Sequence, residues 1–446
     1  ITRSLVGLGG ICDKWGVRRA LIMAFLCLLA GRVIISAAPT VLGMQPTGHP
    51  WSPLHLTTMA GILLVVVGYG MYQPSAYAAV RQFTTPKTSA MGFAMLYALM
   101  NLGGWLPTFA FLIRDEDYLN LGIPGTYWVY TGLTVVALVA TLLLLTRKTV
   151  EKAIASAREE TARIKAEEGE TPASAEAKKA AQAAKDAAAG EARLPWHVWL
   201  VLAAIVAAGY WRIPMPWAHI VTGVVVVLGV LALAVPKVKR AVARHPLADL
   251  KFFCFIFALI PVQTLFTYNW LVLPQYINRS FEGWIGDKFE FASNLNPILI
   301  FIAVPMIAAL TRKAKVYNMM IIGTIVMAVP AFLLALGPSP WTLFTYIGLM
   351  TIGEAMWQPR FLQYAAEIAP EGRTGEYMGV AQLPWFLTKM LAPLLLTGWM
   401  MDRYCPTVGA RDTKTMWLIF ACIAMLSPVM LILAKGWIGK EFKSKS

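Results

Sequence analysis

Charge is scarce in this chain. Asp, Glu, Lys and Arg make up 14% of its 446 residues, against 58% apolar side chains. That balance excludes an ordinary soluble globule. Cysteine is scarce too. Cys12, Cys27, Cys254, Cys405 and Cys422 have no metal-ligand spacing, and four lie in or near apolar runs, where a thiol packs as a small hydrophobe. A disulfide framework is therefore not expected. His49, His55, His197, His219 and His245 fall in loops or at the ends of apolar runs, and no metal site is expected from them. There is no Gly-Lys-Ser/Thr phosphate loop, which argues against ATP-driven transport within the chain. No Ser/His/Asp set converges on one segment, so neither an enzyme nor a cofactor is expected. No secretory signal peptide is recognisable.

Long apolar runs are what the chain has instead. "TYWVYTGLTVVALVATLLLLT" (126–146) is long enough to span a bilayer. Further spans are read at 20–39, 56–80, 90–113, 197–212, 217–235, 248–276, 293–310, 316–337, 342–368, 376–401 and 414–436. The fold class is an all-α polytopic membrane protein. The net charge of +15 is read as loop charge held on the cytoplasmic side rather than as a nucleic-acid footprint. Segments 13–19, 81–88, 236–245 and 311–315 and the C-terminal tail are basic, whereas "TVLGMQPTGHPWSP" carries no charge. One orientation satisfies them all, with the C-terminus in the cytoplasm. The expected setting is a bacterial inner (plasma) membrane, with lipid as the surrounding partner.

Residues 148–194 break the apolar pattern. "EKAIASAREETARIKAEE" and "SAEAKKAAQAAKDAAAGEA" are Ala-rich and charged, and Gly169 and Pro172 separate them. They read as a solvated helical linker, with a protein-binding arm as the alternative. Residues 1–147 are expected to form one bundle, 195–236 an inserted transmembrane hairpin, 247–437 a second bundle and 438–446 a basic tail. A linker between two membrane halves suggests a duplicated transporter body.

"GGICDKWGVRR" (9–19) fills the first cytoplasmic turn. Gly9 permits a close helix approach and Gly16 a tight turn. Asp13 is suited to the end of a neighbouring helix and to pairing with a basic partner, and Lys14, Arg18 and Arg19 to holding the loop inside and bridging other helices. Such a charged latch can lock one conformation and release in another. The pattern G-x-x-x-D-[RK]-x-G-x-[RK]-[RK] resembles the loop signature of the major facilitator superfamily. The resemblance implies two six-helix bundles, alternating access and a central site. It also implies that the first helix and most of the second lie upstream of Ile1.

Three later stretches narrow the resemblance. "GYGMYQPSAYAAVRQF" (68–83), "GFAMLYALMNLGGWLP" (92–107) and "IGEAMWQPRFLQYAAEIAP" (352–370), with Asn296-Pro297, look like the proton-coupled oligopeptide transporter family. That family commonly inserts a two-helix hairpin between its halves. The chain departs from it at Gln73, where the family usually has Lys, at Leu96, and at the displaced pair Trp385-Phe386.

Glu354 stands out in an otherwise apolar span. A charge there costs at least a few kcal/mol unless it faces protein or water. It lies about 22 Å from its cytoplasmic exit, and Lys389 about 24 Å along the next span, at 1.5 Å per residue. The two are expected to pair or to face one aqueous cavity, and so to handle protons. Gln73, Tyr69, Tyr97, Asn101, Gln263, Asn296, Trp357, Arg360 and Trp385 are the candidate substrate residues, although amides inside a membrane often simply join helices and aromatics in spans more often pack. Arg360 serves equally well as a structural anchor. The expected activity is proton-coupled symport of small peptides or peptide-like solutes. A different small solute (sugar, nucleoside, cell-wall fragment, drug) and a transporter-like scaffold subunit are the alternatives.

Overall fold

The computed structural model describes residues 13–45, 47–49, 51–167, 196, isolated positions between 203 and 235, 244–287, 289–312, 314–369 and 373–438. Residues 1–161 with 258–446 form one compact unit, and residues 162–257 form another. Gly9, the second part of the expected linker, most of the expected hairpin and the tail from 439 lie outside the described residues.

The first unit is built from helices. Its N-terminal half has α1 (Val17–Thr40), α2 (Pro53–Phe83), α3 (Ser89–Trp105, extended by short turns to Arg114) and α4 (Gly122–Leu144). Helix α5 (Arg147–Glu167) follows, polar along its length. In the second unit, α6 (Leu250–Phe257) starts at Asp249, whose carboxylate accepts from the Lys251 and Phe252 amides. The C-terminal half of the first unit has α7 (Ile260–Leu271), α8 (Leu273–Ser280), α9 (Leu295–Leu310), α10 (Val316–Ala328) and α11 (Pro340–Glu367). It ends with α12 (Thr374–Ala381), α13 (Leu383–Ala392), α14 (Gly398–Tyr404) and α15 (Thr413–Ala434).

Local chemistry sets several boundaries. Ser339 and Thr342 form a reciprocal cap at the start of α11, and Pro340 takes a first-turn position whose amide needs no partner. At the start of α2, Ser52 Oγ accepts from the His55 amide at 3.2 Å and Pro53 takes a first-turn position. Gly16, at φ 79°, turns the chain into α1; a side chain there would be strained. Between α13 and α14, Pro393–Thr397 widen into a π-helical turn, so the span from 374 to 404 is a broken helix.

Among the described residues, eight helices are long and apolar enough to cross a membrane. Pro340–Glu367 is long enough but more polar, and 374–404 is interrupted.

Each half contains one crossing where two backbones touch through glycine. A Cβ on Gly31 of α1 would lie 2.5 Å from the Gly61 carbonyl of α2, and one on Gly61 would lie 2.8 Å from the Gly31 carbonyl. In the C-terminal half, Gly323 of α10 and Gly353 of α11 repeat this, with 3.0 Å and 2.7 Å to each other's carbonyls. Both pairs are thirty positions apart in sequence. Small residues are what allow helices to pack this closely in a membrane.

Candidate functional site

Glu354 lies midway along α11 and is 2% exposed. Its carboxylate accepts hydrogen bonds from two other helices. Tyr97 Oη on α3 donates to Oε1 at 2.5 Å, and Asn296 Nδ2 on α9 donates to Oε2 at 3.0 Å. Asn296 also reaches Thr351 Oγ1 at 2.9 Å, one turn before Glu354. Asn101 Nδ2 donates to the Tyr97 carbonyl at 3.0 Å. The helices come close because the facing residues are mostly small. Ala94 and Ala98 of α3, Val304 and Ala308 of α9 and Ala355 of α11 belong to one buried cluster. Removing a carboxylate from water costs several kcal/mol, and each bond to the charged group returns roughly 1.5–3 kcal/mol. Tyr97, Asn101, Asn296 and Glu354 thus converge.

Lys389 does not join them. Its Nζ sits 3.6 Å from the ring centroid of Trp385, one turn earlier on α13, and 5.5 Å from that of Trp270 on α7. Among the described residues no ion pair connects it to Glu354. The expected direct pair is therefore corrected. Rise along a helix fixes a residue's depth and leaves its direction around the axis free. Here the indole faces supply the negative potential that a carboxylate would otherwise give. A narrow crevice lined by Asn269, Trp270, Ser293 and Asn296 separates the indole from Glu354's partner.

The remaining candidates divide. Gln73 is buried, donates to Tyr77 Oη at 3.2 Å and approaches Gln382 Oε1 at 3.5 Å, bridging α2 to the joint between α12 and α13. Gln263 is 1% exposed, and its Oε1 has no hydrogen-bond partner among the described residues. Tyr69 lies half-buried on α2, and nearby Tyr72 packs its ring on Phe25, 5.4 Å between centroids. Trp357 takes the packing role that is the commoner reading of an aromatic inside a span. It is fully buried in the seam with α10, its Nε1 on Met327 sulfur at 3.1 Å and its backbone against Gly323. It acts in helix packing. Arg360 resolves toward the anchor: Nη2 donates to the Thr311 carbonyl at 2.7 Å and Nη1 to Gln363 at 3.1 Å. Thr311 is the last carbonyl-bearing cap of α9, where a cation meets the negative end of the helix.

The Asp13 motif spans the two halves. Its two carboxylate oxygens accept from the backbone amides of Gly375 and Glu376 at 3.0 and 3.1 Å, in the first turn of α12. Those amides have no partner inside the helix, and the positive helix end attracts the carboxylate. Arg373, beside it, pairs with Glu376 at 2.9 Å. Burial pushes the Asp13 carboxyl above its ordinary 3.8, against the lowering effect of the Gly375 and Glu376 amides. Arg18 Nε donates to the Leu145 carbonyl at 2.6 Å, closing the end of α4. Lys14 and Arg19 are exposed.

One charged residue escaped the sequence reading. Arg32, in the α1 span, donates through Nη1 to the Tyr130 carbonyl at 3.0 Å and to Thr134 Oγ1, both on α4. Ser36 and Thr131 meet at 3.3 Å in the same seam. The signal was available: a lone Arg in the apolar stretch "AGRVIIS" invites the question that Glu354 raised.

No protein-family model and no curated protein sequence matches the chain. Solved structures do. The proton:xylose symporter XylE of the major facilitator superfamily, bound to 6-bromo-6-deoxy-D-glucose, aligns at TM-score 0.57 and 14% identity, covering 97% of this chain and 82% of its own. The peptide transporter POT in complex with sulfate aligns at 0.54 and 19%, covering 98% and 85%. The human organic anion transporter MFSD10 (TETRAN) aligns at 0.54 and 10%, covering 96% and 80%. The chain has the fold of the major facilitator transporters.

Proposed function

We propose that the chain is a secondary transporter working by alternating access, with protons as the driving ion and a small peptide or peptide-like solute as cargo. The observation that carries this is the donor set of Glu354. One of its hydrogen bonds comes from Tyr97 in the N-terminal half, while Asn296 belongs to the C-terminal half with Glu354 itself. Rocking one half against the other breaks the first bond and keeps the second. The carboxyl group then exchanges a fixed hydroxyl for water, and its hold on a proton changes with conformation. Proton binding and opening are linked through one side chain.

The Asp13 latch supplies the second moving part. It holds α12 closed at its first turn and must release before the basic face opens. In this reading the basic loops and C-terminus are cytoplasmic, and the membrane is a bacterial inner membrane. Gln73, Tyr69, Asn101, Gln263 and Trp385 are polar or aromatic wall residues for the cargo. Lys389, parked on two indoles, is available for a negatively charged group.

In proteoliposomes an imposed pH gradient is expected to drive dipeptide uptake. Glu354→Gln is expected to abolish driven uptake and to spare counterflow, which needs no net proton movement. Driven uptake that persists unchanged removes Glu354 from coupling. Proton flux stimulated by another solute class, and by no peptide, removes the peptide cargo.

A second reading keeps the mechanism and changes the cargo to a neutral small solute. Gln73 favours it: the position meets Gln382 as one neutral amide on another, with no cation for a peptide carboxylate. The same uptake screen, extended to sugars and nucleosides, separates the two.

A further inference from the structure

A cleft of about 520 Å³ opens where α8 ends against the loop after α14, with Gln275, Asn278, Phe289 and Thr407 around Arg279 and Arg411. This loop follows the broken helix that began at the Asp13 latch, so the cleft lies at the opposite end of the bundle. The two arginines hold their segments together reciprocally. Arg279 Nη1 donates to the Cys405 carbonyl at 2.5 Å, at the end of α14, and Nη2 to Gln275 Oε1 at 2.8 Å. Arg411 donates to the Arg279 carbonyl from Nη1, to the Pro406 carbonyl at 3.1 Å and to the Thr407 carbonyl at 3.2 Å.

Every partner in that set is neutral. Among the described residues no carboxylate lies within ion-pair distance of either guanidinium. Nearby Asp412 is used elsewhere: it caps α15 by accepting from the Thr415 amide at 3.1 Å. A guanidinium carries five N–H donors in a fixed fork. These hydrogen bonds occupy two on Arg279 and three on Arg411. The others, with the Asn278 amide, remain for a ligand. Two like charges fixed side by side by carbonyl oxygens, on the wall of an open cleft, make a preorganised oxyanion receptor.

We propose that this cleft binds an oxyanion, a carboxylate or phosphate group, between Arg279 and Arg411. Its helices α8 and α14 continue from α7 and α13, which carry Trp270 and Lys389. An anion held at the cleft is thus about one helix length from Lys389 and its two indoles. That use as an outer station for an anionic solute rests on the transporter reading; binding does not. The group can come from a dissolved solute or from a lipid headgroup.

The test uses the full chain in nanodiscs of phosphatidylcholine, without any gradient. Phenylglyoxal modification of Arg279 and Arg411 is followed by mass spectrometry with inorganic phosphate added. Phosphate is expected to slow both reactions about tenfold, the range one or two charge-assisted bonds supply. Arg411→Gln, in an exposed loop, is expected to weaken phosphate protection of Arg279 by a similar factor. Protection by phosphate assigns a dissolved anion. Protection that appears only with phosphatidylglycerol in the disc assigns a headgroup at the same site. No protection in either case, or undiminished protection in Arg411→Gln, overturns the proposal. Because nothing is transported in this assay, its failure leaves the transporter reading standing, and failed uptake leaves this site standing.

Discussion

In the N-terminal half, Gly61 of α2 is followed by Ile62; at the matching crossing of the C-terminal half, Gly353 of α11 is followed by Glu354. The correspondence extends along both helices. Val65 and Trp357, each four residues after its glycine, press on the partner glycine. Seven residues on, Gly68 meets the α1 backbone, whereas its counterpart Arg360 reaches across to the end of α9. The frame is repeated and the polar chemistry is installed on one side. Gly61 and Gly353 are required by backbone contact. Ile62 and Glu354 are free to differ, because the position points away from that contact.

Replacing the acid gives the largest effect this comparison predicts. Glu354→Gln should end gradient-driven uptake, whereas Ile62→Gln should leave it near wild type. Moving the acid, as Ile62→Glu with Glu354→Ile, should not restore uptake, because Tyr97 and Asn296 stand only at the second site. Restoration would mean that a carboxylate at this depth suffices without its donors. The next effect is on folding. Gly61→Ala and Gly353→Ala should each destabilise by about 1–3 kcal/mol, since the added methyl meets backbone that cannot swing aside. Thermal unfolding in detergent reads both. A large loss in one and none in the other would break the equivalence of the two crossings.

The latch comes third. Asp13→Ala removes two bonds to α12 and should cost the latched state about 1.5–3 kcal/mol. Increased labelling of a cysteine placed near Gly375 measures the release. The acid also sets a pH dependence. Burial raises the Asp13 carboxyl above 3.8 in the latched state, so that state binds the proton more readily than a hydrated, released Asp. The contribution is fully present below 3.8 and is lost as pH rises through the latched-state value. Acidification should therefore tighten the latch, and Asp13→Asn should flatten the profile. Tightening with rising pH would reverse the assignment.

The legible parts of the sequence were those fixed by spacing. The 9–19 motif placed Asp13 at a helix end, where backbone amides rather than the expected basic partner meet it, and of the three cations read as bridges Arg18 reaches another helix. Apolar run length located eight of the spans, whereas those read at 342–368 and 376–401 are a more polar helix and a broken one, and Glu354 stood out as a charge in an apolar run beside Tyr97, Asn101 and Asn296 of the resembling stretches. What failed was direction around a helix axis. Depth counting put Lys389 level with Glu354, and the indoles of Trp385 and Trp270 took it instead. Packing was the commoner reading for Trp357, but its partner was not legible: a glycine more than thirty residues earlier, of which a single helix's pattern carries no trace. Arg32 hid because its partners are a carbonyl and a hydroxyl of α4. Neither leaves a charge of opposite sign to search for.

The smallest expected effect returns to the two halves. Each ties the start of one helix to the end of another, by different chemistry. Arg18, in the first turn of α1, donates to the Leu145 carbonyl beyond α4; Tyr317, in the first turn of α10, donates to the Leu431 carbonyl in the last turn of α15 at 2.7 Å. A hydroxyl on a carbonyl contributes about 0.5–1.5 kcal/mol, and a guanidinium about 1.5–3 kcal/mol. The Arg18 bond is part-exposed and is discounted toward the lower end. Tyr317→Phe should therefore cost slightly less than Arg18→Gln. Amide hydrogen exchange at the last turns of α4 and α15 resolves them, each variant loosening only its own helix. Loosening of both by either variant would mean that the halves communicate at this end, and that the latch couples to the helix ends as well as to α12.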